Sequence, residues 1–243
     1  MTKRLYLTDS YYRNIETTVV SVNSKGVVLD QTVFYPESGG QLGDRGKLKM
    51  KDKTVNVTNT KQQKGELIHE LDSIDGLEEG MTVYVELDWD RRYQQMRAHS
   101  AQHVISRFFQ LNYEAETVSN QLKTTSCRLD LFPLSKISVE ELSDIFIQIN
   151  DIISRNMSVS ISFLPRDEAI EFLKEKEYQI KYLNMVPKSV KEFRIVSIND
   201  YDFAACAGTH IKNTSEIGKI LIEKTVNKGK KRERVYYSVN PKL

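Results

Sequence analysis

The first 87 residues alternate between hydrophobic and polar positions with a period of two, in short segments separated by turn residues such as Asn23-Ser24-Lys25. The strands that this pattern predicts cover residues 17–22, 26–29, 47–50, 54–57 and 81–87. No helical periodicity of useful length interrupts them. The pattern therefore predicts a small all-β unit, either a barrel or a sandwich.

The periodicity changes at Asp88, which together with Asp90 offers a cap for a helix running to about Phe109. Ser138 and Glu141 form a capping-box pattern that starts a second amphipathic helix. The later segments comprise a charged helix over residues 166–176 and strands over 157–163, 193–198, 217–226 and 233–239. We therefore expect an α+β chain with a boundary near residue 87.

Composition narrows the functional class. The 243 residues are 40% hydrophobic, which is enough for one large domain or two modest ones. No apolar run approaches the roughly eighteen residues of a membrane span, and no signal-peptide pattern follows the first methionine, so we expect a cytoplasmic protein with no membrane partner. The two cysteines, Cys127 and Cys206, give no disulfide framework. Net charge is only +2, but seven basic and two acidic residues make the last 21 residues the basic end.

Histidine spacing is the strongest chemical signal. His99 and His103 are separated by one helical turn, which places both imidazoles on one face. Cys206 and His210 have the same separation, but Gly208 and the flanking strand signals favour a turn there. Either pair alone is commonplace. Together they offer three imidazoles and one thiolate, a ligand set typical of zinc.

The ligand count leaves the role of the metal open. Structural zinc sites close with four protein ligands, which matches the number available here, whereas catalytic sites keep one position open. Ser100 follows the first histidine where a metalloprotease has its glutamate, so that general base is missing. The fourth histidine, His69, lies in an alternating segment and is predicted to be a plain surface residue.

The order of these motifs resembles the editing domain of alanyl-tRNA synthetase and its free-standing relatives, the AlaX proteins. The matching stretches are FYPESGGQ (34–41), GDRG (43–46), WDRR (89–92), RLD (128–130), FRIVSI (193–198), CAGTH (206–210) and NTSEIG (213–218). The likeness covers nearly the whole chain, and the length fits the medium-sized class. Ser100 and Ala207 depart from the usual threonine and second glycine of the family.

The resemblance implies an enzyme that removes serine or glycine from mischarged alanine tRNA. With no aminoacylation module recognisable, it would act in trans. The implied fold is a small β-barrel-like domain over residues 1–87, carrying the glycine-rich motif, and a zinc-binding α+β editing domain over 88–243. One zinc ion per chain would be held by His99, His103, Cys206 and His210. An aminoacyl ester is already activated, so metal-assisted attack by water, without a covalent intermediate, would suffice.

Further site residues follow from the same resemblance. Gln121 and Asp130 are the implied catalytic groups, although residue types alone also fit a surface pair of Arg128 with Asp130. The implied substrate contacts are Gly39, Gly40, Gln41, Ser100 and Thr209. The implied tRNA contacts, in what would otherwise be a solvated hairpin tip, are Lys230, Lys231, Arg232 and Arg234.

Two other functions fit these residues. One is an editing enzyme of the same fold acting on threonine tRNA, against which the Gly-Gly-Gln and Cys-Ala-Gly-Thr-His stretches favour alanine. The other is a non-catalytic tRNA-binding module with a structural zinc. The sequence leaves the number of subunits open.

Overall fold

The computed structural model describes residues 2–178, 180, 183 and 186–240. The N-terminal strands are β1 (Lys3–Arg4), β2 (Asn14–Asn23), β3 (Gly26–Leu29), β4 (Gln31–Thr32), β5 (Gly46–Lys49), β6 (Thr54–Gln63), β7 (Glu66–Leu71) and β8 (Thr82–Leu87). Six of them close a barrel in the order β2-β3-β7-β6-β5-β8, while β1 and β4 pair separately. The open choice between barrel and sandwich is thus resolved as a barrel.

The barrel forms because the inward positions of its strands are apolar. Val27, Leu29, Leu48 and Val85 are fully buried in its core. Consecutive predicted strands form two hairpins, since β2 pairs with β3 and β5 pairs with β6. Strand β6 extends well beyond the predicted segment because its polar second half continues to pair with β7.

The expectation for His69 was wrong. Its side chain is fully buried on β7, where Nε2 lies 2.8 Å from Thr32 Oγ1 and Nδ1 lies 3.2 Å from the Val27 carbonyl. Burial lowers the pKa of this imidazole to about 4. Three successive residues of β7, from Leu67 to His69, are buried. Alternation alone therefore could not predict whether the His69 side chain faces the protein interior or the solvent.

The second part of the chain combines helices with two open sheets. The helices are α1 (Trp89–Tyr113), α2 (Val139–Ser154) and α3 (Arg166–Glu175). The strands are β9 (Glu116–Gln121), β10 (Cys127–Phe132), β11 (Val159–Pro165), β12 (Glu192–Ile198), β13 (Asp202–Ala205), β14 (Ile220–Asn227) and β15 (Glu233–Val239). Four form an antiparallel sheet ordered β14-β15-β10-β9, and three form the sheet β11-β12-β13.

Capping residues set the starts of the two longer helices as predicted. The Asp88 side chain accepts the Arg91 N–H, and Ser138 Oγ accepts the Glu141 N–H. The start of the strand predicted from residue 217 was wrong. Thr214–Ile217 is a 3₁₀ turn capped by Asn213, and β14 begins at Ile220. The capping box of Asn213 and Glu216 gives hydrogen-bond partners to backbone N–H groups that, in a strand, would have to pair with a neighbouring strand.

Helix α1 joins the two parts. Arg92, in its first turn, is fully buried and forms an ion pair with Asp44 of the barrel part. The same guanidinium donates to the carbonyls of Val33 and Ser10. Across the described ranges, no helix has both the length and the apolar character that a membrane crossing requires.

Candidate metal centre

Two elements bring the four predicted ligands together. Helix α1 supplies His99 and His103, and the turn after β13 supplies Cys206 and His210. Their ligand atoms all lie within 4.8 Å of one another. Cys206 Sγ is 3.5 Å from His99 Nε2 and 3.4 Å from His210 Nε2. Tetrahedral zinc with ordinary bond lengths separates its ligand atoms by about 3.3–3.6 Å, which the two sulfur–nitrogen distances match.

Each imidazole is held from behind through Nδ1. His99 Nδ1 lies 2.9 Å from Gln41 Oε1, His103 Nδ1 lies 2.8 Å from Asp202 Oδ2, and His210 Nδ1 lies 3.0 Å from Ser100 Oγ. An amide oxygen and a carboxylate can only accept, so Nδ1 of His99 and His103 carries the proton. Their Nε2 lone pairs then face the cluster. Outer partners of this kind orient metal-bound histidines.

The electrostatics of the centre favour a deprotonated Cys206 and a neutral His210, but they also favour a proton on His103. Burial opposes a charge on Cys206, yet the neighbouring His99 and His210 lower the pKa of its thiol well below the usual value. Burial lowers the pKa of His210 well below its usual range, which keeps that imidazole neutral. For His103, burial acts to lower the pKa, but the Asp202 carboxylate and Cys206 outweigh it and raise the pKa to about 10. His103 is therefore protonated at neutral pH, and a bound cation would displace the proton from the nitrogen that faces the cluster.

The turn that carries Cys206 and His210 requires a glycine at 208. A Cβ on Gly208 would lie 2.0 Å from Cε1 of the His99 ring. Its neighbour Thr209 is fully buried and closes the turn against Gln41, whose Oε1 accepts the Thr209 N–H and whose Nε2 donates to Thr209 Oγ1. Gln41 therefore links both halves of the ligand set.

The glycine-rich motif forms a tight two-residue turn beside this cluster. Ser38 and Gln41 exchange backbone hydrogen bonds across Gly39 and Gly40, whose φ values are 57° and 86°. Two successive positive φ angles define a type I′ turn, which glycine adopts without strain. A Cβ on Gly40 would also collide with Asn120 of β9, 1.7 Å from its Oδ1. The turn thus lies between the metal cluster and the end of β9.

The other predicted residues occupy three environments. Gln41, Ser100 and Thr209 are fully buried and hydrogen-bonded behind the ligands, while Gly39 is exposed. Gln121 and Asp130 lie on neighbouring strands of the four-stranded sheet, and both contact Arg128. Lys230, Lys231 and Arg232 are exposed at the β14–β15 turn, whereas Arg234 is paired with Asp130 through Nε and Nη2.

Sequence reasoning missed Asp202 and Arg194. Asp202, four residues before Cys206, is the carboxylate partner of His103, and a search for acidic residues near the ligands could have found it. Arg194 is 7% exposed and donates to the carbonyls of Leu7 and Cys206, at 2.7 and 2.5 Å. It fixes the backbone of the cysteine turn. Its role depends on long-range contacts that no local pattern reveals.

Asp202→Asn is expected to weaken zinc affinity by about 10–100-fold, because it keeps the side-chain shape but removes the charge that orients His103. A competition titration with a chromophoric chelator measures this directly. Asp200→Asn, two residues away and exposed, is the matched control and should bind zinc like the wild type. Equal zinc affinities of the two variants would show that Asp202 does not support metal binding.

Comparison with known proteins agrees with the motif order. The family model for class II (A) tRNA synthetases matches residues 6–91, and that for the threonyl and alanyl tRNA synthetase second additional domain matches residues 193–236. The alanyl-tRNA editing protein AlaX-M of Saccharolobus solfataricus is 36% identical over 99% of this chain and 100% of its own length. AlaX-M of Methanosarcina barkeri is 38% identical over 98% of this chain and 99% of its own length. The alanine–tRNA ligase of Thermococcus kodakarensis is 37% identical over 92% of this chain, a stretch that is 24% of the ligase.

Proposed function

The chain belongs to the AlaX-M family of alanyl-tRNA editing proteins, and on that premise we propose that it is a zinc-dependent aminoacyl-tRNA deacylase. It hydrolyses the ester that joins serine or glycine to mischarged alanine tRNA. It acts in trans and in the cytoplasm. Its likeness to an AlaX-M protein covers the whole length of that relative, whereas its likeness to an alanine–tRNA ligase covers 24% of that enzyme. One zinc ion is held by His99, His103, Cys206 and His210.

The observation that carries this proposal is the convergence of those four side chains. Three imidazoles turn one nitrogen toward a low-pKa thiol, and each has a buried polar partner on its other nitrogen. Such outer partners fit a bound cation better than a chance polar cluster in the core. Zinc bound there supplies Lewis acidity, which polarises an ester carbonyl or lowers the pKa of water.

The protein's own residues position the reacting parts. We assign the Cys206 sulfur as a ligand, because it converges with three imidazole nitrogens, all within 4.8 Å of one another, and a thiolate bound to zinc is withheld from nucleophilic attack. Gln41 ties the glycine turn to His99 and Thr209, which places exposed Gly39 at the edge of the centre. Selection between amino acids is assigned to this edge. Ser100 and Gln41 act on this edge through the ligands that they hold, His210 and His99, and Thr209 acts through Gln41.

The hairpin tip supplies part of the tRNA contact. Lys230, Lys231 and Arg232 are exposed and carry no opposing carboxylate in the ion pairs of the described residues, so they are available to phosphates. Arg234 differs, because the Asp130 carboxylate already holds its guanidinium.

The test is deacylation of alanine tRNA charged with serine, glycine or alanine, with and without a chelator. We expect release of serine or glycine at catalytic protein concentrations, little release of alanine, and loss of turnover in chelator that added zinc restores. Threonine tRNA charged with serine is the matched control. Turnover confined to that control would favour threonine editing, and binding of tRNA without any turnover would favour the non-catalytic module.

A further inference from the structure

The four-stranded sheet has one covered face and one open face. Alternate residues Leu129, Val235 and Tyr237 are fully buried, and Tyr237 Oη donates to the Ala98 carbonyl of α1. The other set points away from the helices. We call it the outer face, and it consists of Gln121, Lys224, Arg128, Asp130, Arg234 and Tyr236.

The strand register aligns these residues in rows across the sheet. Gln121 pairs with Arg128, Arg128 pairs with Tyr236, and Tyr236 pairs with Lys224, which gives one row spanning all four strands. The next row on this face contains Asp130 opposite Arg234. Residues directly opposite on antiparallel strands have neighbouring side chains, so each row is a continuous surface.

Asp130 holds two guanidiniums in this surface. It accepts from Arg234 Nε and Nη2 at 2.6 and 2.8 Å and from Arg128 Nη1 at 3.4 Å, while Arg128 Nε lies 3.4 Å from Gln121 Oε1. Asp130 itself is buried, but the Arg128 and Arg234 side chains remain 24% and 20% exposed. Two fixed, partly exposed guanidiniums form a geometry suited to phosphate oxygens.

The same face offers a ring and cationic surroundings. Lys224 Nζ lies 4.9 Å from the centre of the Tyr236 ring, beside exposed Val226. Exposed lysines continue the positive charge in both directions, with Lys123 in the β9–β10 turn and Lys230 at the hairpin tip. Aromatic rings with flanking cations on an open antiparallel sheet are a recurrent solution for binding unpaired nucleotides.

One end of the outer face adjoins the metal centre. Leu122, next to Gln121, donates its N–H to the Gly40 carbonyl at 2.8 Å, and the following residue of that turn, Gln41, contacts His99. The row that begins at Gln121 is therefore connected to His99 through the glycine turn. A strand of nucleotides that lay along this row would end beside the cluster.

We propose that the outer face binds the unpaired 3′ end of the tRNA and leads it to the metal centre. The inference rests on the proposed function. Tyr236 stacks a base, Arg128 and Arg234 contact phosphates, and Asp130 and Gln121 are positioning residues for those guanidiniums. The catalytic role that the resemblance implied for Asp130 and Gln121 stays a prediction.

The experiment measures binding of two RNAs, intact alanine tRNA and the same tRNA trimmed of its unpaired 3′ nucleotides. Tyr236→Ala should weaken binding of intact tRNA by about tenfold or more, because it removes one stacking partner. Arg128→Gln should also weaken it and lower the salt slope by about one. Neither change should affect trimmed tRNA. Tyr236→Phe, which keeps the ring, should bind intact tRNA like the wild type.

Arg155→Gln is the matched control, since this arginine is 59% exposed at the end of α2 and away from the outer face. Thermal unfolding checks that each variant is folded, and Arg128→Lys replaces Arg128→Gln if the latter is not. The proposal would be overturned if these substitutions weakened the binding of intact and trimmed tRNA equally, or if they left the binding of both unchanged. It would also be overturned by a change in oligomeric state without a change in RNA affinity, which would mark a surface between copies.

Deacylation by the wild type, run alongside, separates this inference from the proposed function. If the wild type turns over mischarged tRNA and Tyr236→Ala binds intact tRNA as tightly as the wild type, the proposed role of the outer face is refuted and the proposed function is not. Absence of turnover combined with selective loss of intact-tRNA binding would refute the enzyme and leave the surface standing.

Discussion

Replacing Cys206 and His210 together by alanine is expected to reduce bound zinc from about one ion per chain to near zero. The same double variant should deacylate mischarged alanine tRNA at least about a thousandfold more slowly, since metal charge stabilisation is worth several kcal/mol of barrier. Two of the four converging ligand atoms disappear, and the remaining pair on α1 cannot close a tetrahedral site. Affinity for tRNA should change little, because the cationic surfaces lie outside the cluster.

Metal content by atomic emission and single-turnover deacylation measure the two effects separately. Cys127→Ala is the matched control, because it removes the other cysteine, which is buried on β10 away from the cluster. That variant should keep its zinc. Full zinc content in the double variant would show that the metal binds elsewhere, and full activity without zinc would remove the metal from the reaction.

The ligand set could be predicted from sequence because each pair is local. Helical spacing alone places His99 beside His103, and a short turn keeps Cys206 near His210. The meeting of the two pairs depends on contacts across the fold, such as the one between Gln41 and His99. Residue chemistry alone favours combining the pairs, since three imidazoles and one thiolate are a ligand set typical of zinc, and the resemblance to a known family supports the same step.

Local patterns also predicted the barrel strands and the first two helix starts, because period-two alternation and capping residues act over a few positions. They failed where the environment is set from afar. His69 lies in an alternating segment that suggests a surface position but is buried against Thr32, and Asp202 acquires its role from a helix about a hundred residues earlier. The domain boundary near residue 87 stays a prediction. The Arg92–Asp44 ion pair joins the residues on its two sides.

That ion pair leads to the largest expected change in stability. Arg92→Met should lower the free energy of unfolding by about 3–5 kcal/mol, because it leaves the Asp44 carboxylate buried without its counter-ion. Both side chains are almost wholly inaccessible, at 0% and 1% exposure, and Arg92 also satisfies the carbonyls of Val33 and Ser10. Methionine fills much of the volume, so the cost reports the lost charge and hydrogen bonds more than a cavity.

Urea denaturation measures this cost, and the barrel provides a control within the same chain. Lys49 and Glu86 form an ion pair on adjacent strands with side chains 41% and 43% exposed, so Lys49→Met should cost at most about 1 kcal/mol. Adding Asp44→Asn to Arg92→Met should recover part of the loss, since the orphaned charge is then removed. Similar costs for the buried and exposed pairs would mean that water reaches Asp44 once Arg92 is gone. The junction between the barrel and α1 would then be held by apolar packing, and the position of His99 would not depend on the ion pair two turns before it.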